Sequence, residues 1–366
     1  MNAQAYMDVI YLAACAVNGT TPEAGRVGAM DLEELYRAAS RHLLTAAVAT
    51  ALESAGVRDE RFTQARVRAI RKNILLEADM NDLFGRMDAA GIWHMPLKGS
   101  VLKALYPAAG MRQMADVDVL FDAARADEVR AIMEGLGFTT VYYGTGAHDV
   151  YHRPPVSNFE MHRTLFAPSF DDGIASYYGD VEARLLRGEG CARYFAPEDF
   201  YIYMIAHEYK HYSGSGTGLR SLLDTHVFLG KRGDDLDWQY IDGELDRLGI
   251  AGFERKNRSL ALHLFSGQAL TDEDREMLDY ILDSGTYGTV EHSVENAVEK
   301  QGGRGKYLMS RLFLPMESMK MGYPFFYRHK ALLPALFVYR IGRGLTVSGR
   351  RTVQELKILI ASGKRA

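Results

Sequence analysis

Cysteine is nearly absent from this chain. Cys15 and Cys191 are the only two, and they lie far apart without metal-ligand spacing. That rules out a disulfide framework and a zinc knuckle, and it fits a reducing compartment. Charge of one sign is also scarce: the formal net charge of −4 argues against a protein whose main task is wrapping nucleic acid. No apolar run reaches membrane length, since Ala331 to Tyr339 is interrupted by Pro334. The N-terminal stretch carries Asp8 and no basic flank, so it does not read as a signal peptide. No repeat recurs at a fixed period, and no segment is low in complexity. These absences lead to the expectation of a cytoplasmic protein with no membrane span.

What is present is ample core material. Hydrophobic residues make up 47% of the 366 positions against 25% charged, which suits a large globular chain of two or three lobes. Charge is uneven towards the C-terminus. From Lys320 onward come Arg328, Lys330, Arg340, Arg343, Arg350, Arg351, Lys357, Lys364 and Arg365, with Glu355 the only acid. A basic helical face packed on the acidic remainder accounts for this run, and a surface for a polyanion is the alternative.

Periodicity divides the chain into three regions. Residues 1–90 read as helices: Leu32, Leu35, Tyr36, Leu43, Leu44 and Ala47 recur at three- and four-residue spacing. A second long helix carries Ile70, Ile74, Leu75, Leu83 and Met87 and ends at Gly91. Residues 91–195 change texture, with short β-rich segments at 92–97, 117–121, 138–143, 149–152 and 158–165. A helix over 124–136 and a shorter one from Ser100 fall between them. Residues 196–366 return to helical spacing, with helices expected over 197–212, 217–230, 237–248, 251–265, 272–284 and 323–345. The most loop-like piece is Gly214-Ser215-Gly216-Thr217-Gly218, a hinge or a ligand-facing turn. The fold class is α+β: a small mixed sheet flanked by N-terminal and C-terminal helical regions.

The chemistry concentrates in Arg112-Gln113-Met114-Ala115-Asp116-Val117-Asp118-Val119. Side chains alternate along a strand, so Asp116 and Asp118 share one face while Val117 and Val119 enter the core. Two adjacent ionised carboxylates repel unless a cation lies between them. Hard oxygen ligands favour Mg2+ or Mn2+. Upstream, Leu97-Lys98-Gly99-Ser100 reads as a strand end, a glycine turn and a helix start, a combination suited to phosphate. Downstream, Asn158-Phe159-Glu160-Met161-His162 alternates, placing Glu160 on one face with Asn158 and His162. If that strand pairs with the first, Glu160 becomes the third acid of a two-metal site.

The order Lys-Gly-Ser, Arg-x-x-x-Asp-x-Asp and Glu-x-His resembles the DNA-polymerase-β-like nucleotidyltransferase superfamily. It is most similar to the bacterial group of uncharacterised nucleotidyltransferases. His207, His211, Arg220 and Asp224 resemble the group's helical signature, and Pro315, Tyr323, Pro324 and Arg340 are similar near the end, so the likeness covers roughly residues 30–345. The resemblance implies transfer of a nucleoside monophosphate from a nucleoside triphosphate, ATP by expectation, to a hydroxyl-bearing acceptor with release of pyrophosphate. The acceptor is a protein, an RNA or a small molecule. It implies two Mg2+ or Mn2+ ions on Asp116, Asp118 and Glu160, with Glu160 able to accept the proton of the attacking hydroxyl. It also implies nucleotide contacts at Lys98, Gly99, Ser100 and Arg112. His162, His207, His211, Arg220 and Asp224 are candidates for lining the substrate cleft.

Two other classes compete. His207-Glu208-Tyr209-Lys210-His211 matches the zinc-protease pattern H-E-x-x-H, but Lys210 would set a cation beside the ligands and no third ligand follows closely. An inactive fold retained for binding is the other, and the intact set of three acids speaks against it.

Overall fold

The computed structural model describes residues 3–144, 146–167, 170–314, 316, 319, 323–346, 353–355 and 357–359. The chain forms two compact units, residues 1–209 with 218–286, and residues 210–217 with 287–366.

The first unit begins with helices α1 (Ala3–Asn18), α2 (Ala24–Gly28), α3 (Leu32–Arg41), α4 (Thr45–Ser54) and α5 (Glu60–Ala89). Asp59 starts α5 by accepting hydrogen bonds from the Arg61 and Phe62 amides. Gly91 follows its end in the left-handed region at φ 67°, where glycine carries no Cβ penalty. The helix expected around residues 70–87 is therefore the last two-thirds of a longer one.

The α/β part contains β1 (His94–Pro96), α6 (Gly99–Leu102), β2 (Val117–Phe121), α7 (Ala126–Gly135), β3 (Thr139–Tyr142), β4 (His148–Arg153) and β5 (Ser157–His162). The strands form one sheet in the order β1-β2-β5-β4-β3. β1 runs antiparallel to β2, and β2 runs parallel to β5. β4 pairs antiparallel with both β5 and β3, so β3 and β4 form the expected hairpin around Gly144 and Gly146. The sheet is mixed, as the α+β reading requires.

One face of the sheet is apolar. Val117, Val119 and Phe121 of β2 and Phe159 and Met161 of β5 pack with Leu76, Leu83 and Met87 of α5 and Val129 and Met133 of α7. Each of these side chains is almost fully buried, and burying one stabilises the fold by about 1.5–3 kcal/mol. Because strand residues alternate, this packing turns Asp118, Glu160 and His162 to the opposite face.

Beyond the sheet come α8 (Asp172–Tyr177), the two-residue strands β6 (Leu186–Arg187) and β7 (Arg193–Tyr194), then α9 (Pro197–Tyr212), α10 (Leu219–Arg232), α11 (Trp238–Arg247), α12 (Ala251–Ser266) and α13 (Asp272–Ser284). A second apolar cluster joins Leu120 of β2 to Tyr201, Tyr203 and Ile205 of α9 and to Ile241 and Leu245 of α11. The expected C-terminal helices thus match α9 to α13 within a few residues.

The second unit contains α14 (Val290–Lys300), α15 (Arg304–Leu312) and the helices Pro324–Arg328 and Leu333–Thr346. Val294, Tyr307 and Leu359 make a small apolar cluster within it. The single helix expected over 323–345 is interrupted by a 3-10 turn at Lys330–Leu332. Pro334 instead occupies the first turn of the later helix, where its missing N–H costs nothing. The glycine-rich loop is pinned within this unit: the Ser215 carbonyl accepts from the Thr289 amide at 2.8 Å, and Asn296 donates to the Gly214 carbonyl at 2.9 Å. Of the basic C-terminal run, Lys320, Arg350, Arg351, Lys364 and Arg365 lie outside the described residues, as does Pro315. Among the described residues no helix is long and apolar enough to cross a membrane.

Candidate active site

The parallel pairing of β2 with β5 sets Asp118 directly opposite Glu160 and Leu120 opposite His162. Asp116 sits immediately before β2, half-buried, while Asp118 is 7% exposed. The Nε2 of His162 lies 2.9 Å from Asp118 Oδ1 and 3.7 Å from Glu160 Oε2.

Lys98 reaches the same carboxylate for a local reason. The β1–β2 pairing continues through a bond from the Leu97 amide to the Asp118 carbonyl at 2.9 Å. The next residue, Lys98, takes φ 43° and ψ −111°, and α6 begins at Gly99. A lysine at positive φ costs of order 1–3 kcal/mol, a strain that recurs at functional turns. It brings Nζ to 3.0 Å from Asp118 Oδ1. Ser100 Oγ, next in this turn but one, is buried and has no hydrogen-bond partner among the described residues.

The segment leading into β2 is held from three directions. Asn73 donates to the Arg112 carbonyl at 3.3 Å, Arg220 to the Gln113 carbonyl at 3.0 Å and Lys72 to the Ala115 carbonyl at 2.7 Å. The Gln113 side chain accepts from Thr45 Oγ1 at 2.9 Å and from the Ala46 amide at 3.0 Å. These bonds fix the backbone on which Asp116 stands.

Arg112 itself is engaged elsewhere. Its Nε and Nη2 donate to the two oxygens of Asp224, each at 2.7 Å, and Tyr106 Oη donates to the same carboxylate at 2.7 Å. A Cβ on Gly99 would lie 2.3 Å from Arg112 Nη1, so the glycine makes room for this guanidinium. Arg112, Arg220 and Asp224 therefore act together as a brace behind the acids.

The electrostatics follow from this arrangement. Burial and the neighbouring Asp118 charge push the Asp116 carboxyl up, while Lys98, Arg220 and Lys72 oppose the rise. Burial works to raise Asp118 as well, but Lys98 and His162 overcome it and hold the carboxyl well below the usual range. Asp118 is thus kept ionised. Among the described residues Asp116 accepts no hydrogen bond, and its charge is balanced only at a distance.

The H-E-x-x-H residues serve another purpose. Glu208 is 5% exposed, and Thr225 Oγ1 lies 3.4 Å from its Oε2. Burial pushes its carboxyl up to about 7. A protease glutamate has to face metal-bound water, whereas this one faces α10 inside the helical core. His207 is half-buried and His211 is exposed.

Sequence reasoning missed Lys72, Asn73, Tyr106 and His148. His148 of β4 stands directly across from His162 of β5. Together with Glu160 these histidines offer ligand atoms that all lie within 4.8 Å of one another. The double occurrence of histidine at the two ends of the β4–β5 hairpin was the available signal.

A mixed sheet carrying opposed acids on its interior strands β2 and β5, with a strained Lys-Gly-Ser turn beside them, suits a transferase of the nucleotidyltransferase class. The family model described as uncharacterised nucleotidyltransferase matches residues 28–266, and the chain belongs to that family. Searches of curated proteins and of solved structures give no match. Membership makes the protein an enzyme acting on a nucleoside triphosphate in nucleotidyl transfer.

Proposed function

We propose that the enzyme moves a nucleoside monophosphate from ATP to a hydroxyl-bearing acceptor, releasing pyrophosphate, with Asp116, Asp118 and Glu160 holding two Mg2+ or Mn2+ ions. The observation that carries this reading is the β2–β5 register, which opposes Asp118 and Glu160 two residues from Asp116. The donor set fits such ions. It consists of hard carboxylate oxygens, one of them kept ionised and another raised by burial and by the neighbouring Asp118 charge. When bound, the cations supply charge neutralisation at the α-phosphate and acidify the attacking hydroxyl.

The chain's own groups account for the rest. Lys98, fixed at 3.0 Å from Asp118, stands where charge on the departing pyrophosphate needs a partner. Ser100 Oγ, which has no hydrogen-bond partner among the described residues, supplies a donor for a phosphate oxygen. Glu160, more open than Asp118 at 26% side-chain exposure, accepts the acceptor hydroxyl's proton. Arg112 holds Asp224 and shapes the turn at Gly99, so its part in neutralising pyrophosphate is indirect.

The test uses triphosphates labelled at the α-phosphate, with Mg2+ or Mn2+ and a panel of protein, RNA and small-molecule acceptors. Transfer of label with stoichiometric pyrophosphate is expected, ATP being preferred. Release of the γ-phosphate alone, or nucleotide binding with no turnover on any acceptor, would replace this reading with an inactive binding fold.

A further inference from the structure

We infer that His148, Glu160 and His162 form a separate binding position for a first-row transition cation of the zinc type, sharing Glu160 with the acidic site. The inference goes beyond nucleotidyl transfer, because such binding requires neither nucleotide nor acceptor.

The geometry comes from the hairpin. β4 and β5 pair so that His148 and His162 are cross-strand neighbours and Val150 faces Glu160. Alternation then puts both imidazoles and the Glu160 carboxylate on the same side of the sheet as Asp118. The two rings have centroids 4.9 Å apart and are tilted by 38°. His148 Nε2 lies 3.5 Å from Glu160 Oε2, and His162 Nε2 lies 3.7 Å from the same oxygen. Ligation by His162 uses the tautomer with its proton on Nδ1, so the 2.9 Å contact of Nε2 with Asp118 Oδ1 gives way to the ion.

Those two separations are longer than a hydrogen bond, whose N···O distance is about 2.7–3.2 Å. They match another arrangement. Ligands about 2.0–2.1 Å from a tetrahedral zinc-type ion stand about 3.3–3.4 Å from one another. For these two pairs the difference is a few tenths of an ångström, and all three ligand atoms lie within 4.8 Å of one another. His162 is 4% exposed and held by the sheet, while the His148 side chain is 36% exposed and leaves a route from solvent.

Donor chemistry then separates the two positions. Imidazole nitrogen is a favoured ligand for zinc, cobalt, iron and nickel and a poor one for Mg2+, which keeps to oxygen. The Asp116–Asp118 side offers oxygen alone, and the His148–His162 side offers two nitrogens and one oxygen. One sheet face therefore carries two metal preferences, meeting at Glu160.

The experiment titrates the metal-free protein with Co2+, without nucleotide, and reads the visible d–d absorption that nitrogen ligation intensifies. One equivalent should bind and resist a thousandfold excess of Mg2+. His148→Ala should weaken that binding by at least about a hundredfold, whereas Asp116→Asn should leave it within about threefold. X-ray absorption at the zinc edge of the wild-type protein should show two imidazoles, a result that depends on no variant. Loss of Co2+ binding in Asp116→Asn with retention in His148→Ala would put the cation at the acids and overturn the inference. So would zinc-edge spectra lacking imidazole. Failure of nucleotide transfer beside intact Co2+ binding would sink only the proposed activity.

Discussion

Two ion pairs flank the turn at Gly99, one buried and one partly open, and they are built differently. Arg112 and Asp224 close on one another: both guanidinium contacts are 2.7 Å, and Tyr106 takes a further lone pair. Lys98 and Asp118 do not close. The same Asp118 oxygen also meets His162 at 2.9 Å, Glu160 stands opposite on the next strand, and Asp116 remains without a hydrogen bond among the described residues. The first pair spends its charge within the fold. The second leaves negative charge over, facing away from the apolar layer. Buried charge left uncompensated is expensive, so its retention points to something that binds there, while the closed pair needs only a structural reason.

Asp116→Asn should break the comparison most visibly. Removing a carboxylate that accepts no hydrogen bond among the described residues should lower transfer of α-labelled nucleotide by about a thousandfold or more. The melting temperature should stay level or rise, because repulsion against Asp118 disappears. A variant that loses stability and activity together would show Asp116 to be part of the fold's own bonding. Asp224→Ala should do the reverse. It strands the Arg112 guanidinium in the core and should cost about 3–5 kcal/mol in urea unfolding.

The two pairs were not equally legible in the sequence. Alternation around Asp116-Val117-Asp118-Val119 and Asn158-Phe159-Glu160-Met161 was enough to place these acids on a polar face, since the intervening residues are apolar. The family motifs added Lys98 and Ser100. Register was out of reach, because nothing in either segment says which residue of β5 meets Asp118. For the same reason His148 went unnoticed: it acquires its neighbours only when β4 and β5 align. The Arg112–Asp224 pair spans 112 positions, and sequence patterns carry no signal for side-chain bonds at that distance. Lys72 and Asn73 look like ordinary polar positions of a long helix until the segment before β2 lies against them. Helices α14 and α15 were also passed over. Val290, Val294, Ala297 and Val298 give α14 an apolar stripe, but it is thin among the acids and amides around it.

Glu208 extends the comparison to a buried acid whose hydrogen bonds come from the uncharged Ser221, Asn257 and Thr225. Burial raises its pKa from the ordinary 4.5 to about 7 in the folded protein. The folded-state value is raised, so the associated stability is complete below about pH 4.5 and is lost as pH climbs through 7. The difference corresponds to about 3 kcal/mol. In Glu208→Gln the decline between pH 5 and pH 8 should flatten by that amount in urea midpoints. A slope unchanged by the substitution would mean that Glu208 is already ionised in the folded protein.

Gly99→Ala is the smallest expected effect and tests whether the two pairs are mechanically joined. The new Cβ would stand 2.3 Å from Arg112 Nη1 and 2.9 Å from Met114 Sδ. A guanidinium at the end of a free side chain would step aside cheaply, but this one is held by Asp224 on two bonds. The clash should therefore cost about 1–3 kcal/mol in the wild-type background. In an Asp224→Ala background Arg112 is released, and the same substitution should cost less by about 1 kcal/mol or more, a coupling that a double-mutant cycle reads directly. Strict additivity would mean that Met114 or the backbone, rather than the Arg112–Asp224 brace, sets the room available at Gly99. Lys98 would then owe its placement beside Asp118 to the β1–β2 register alone.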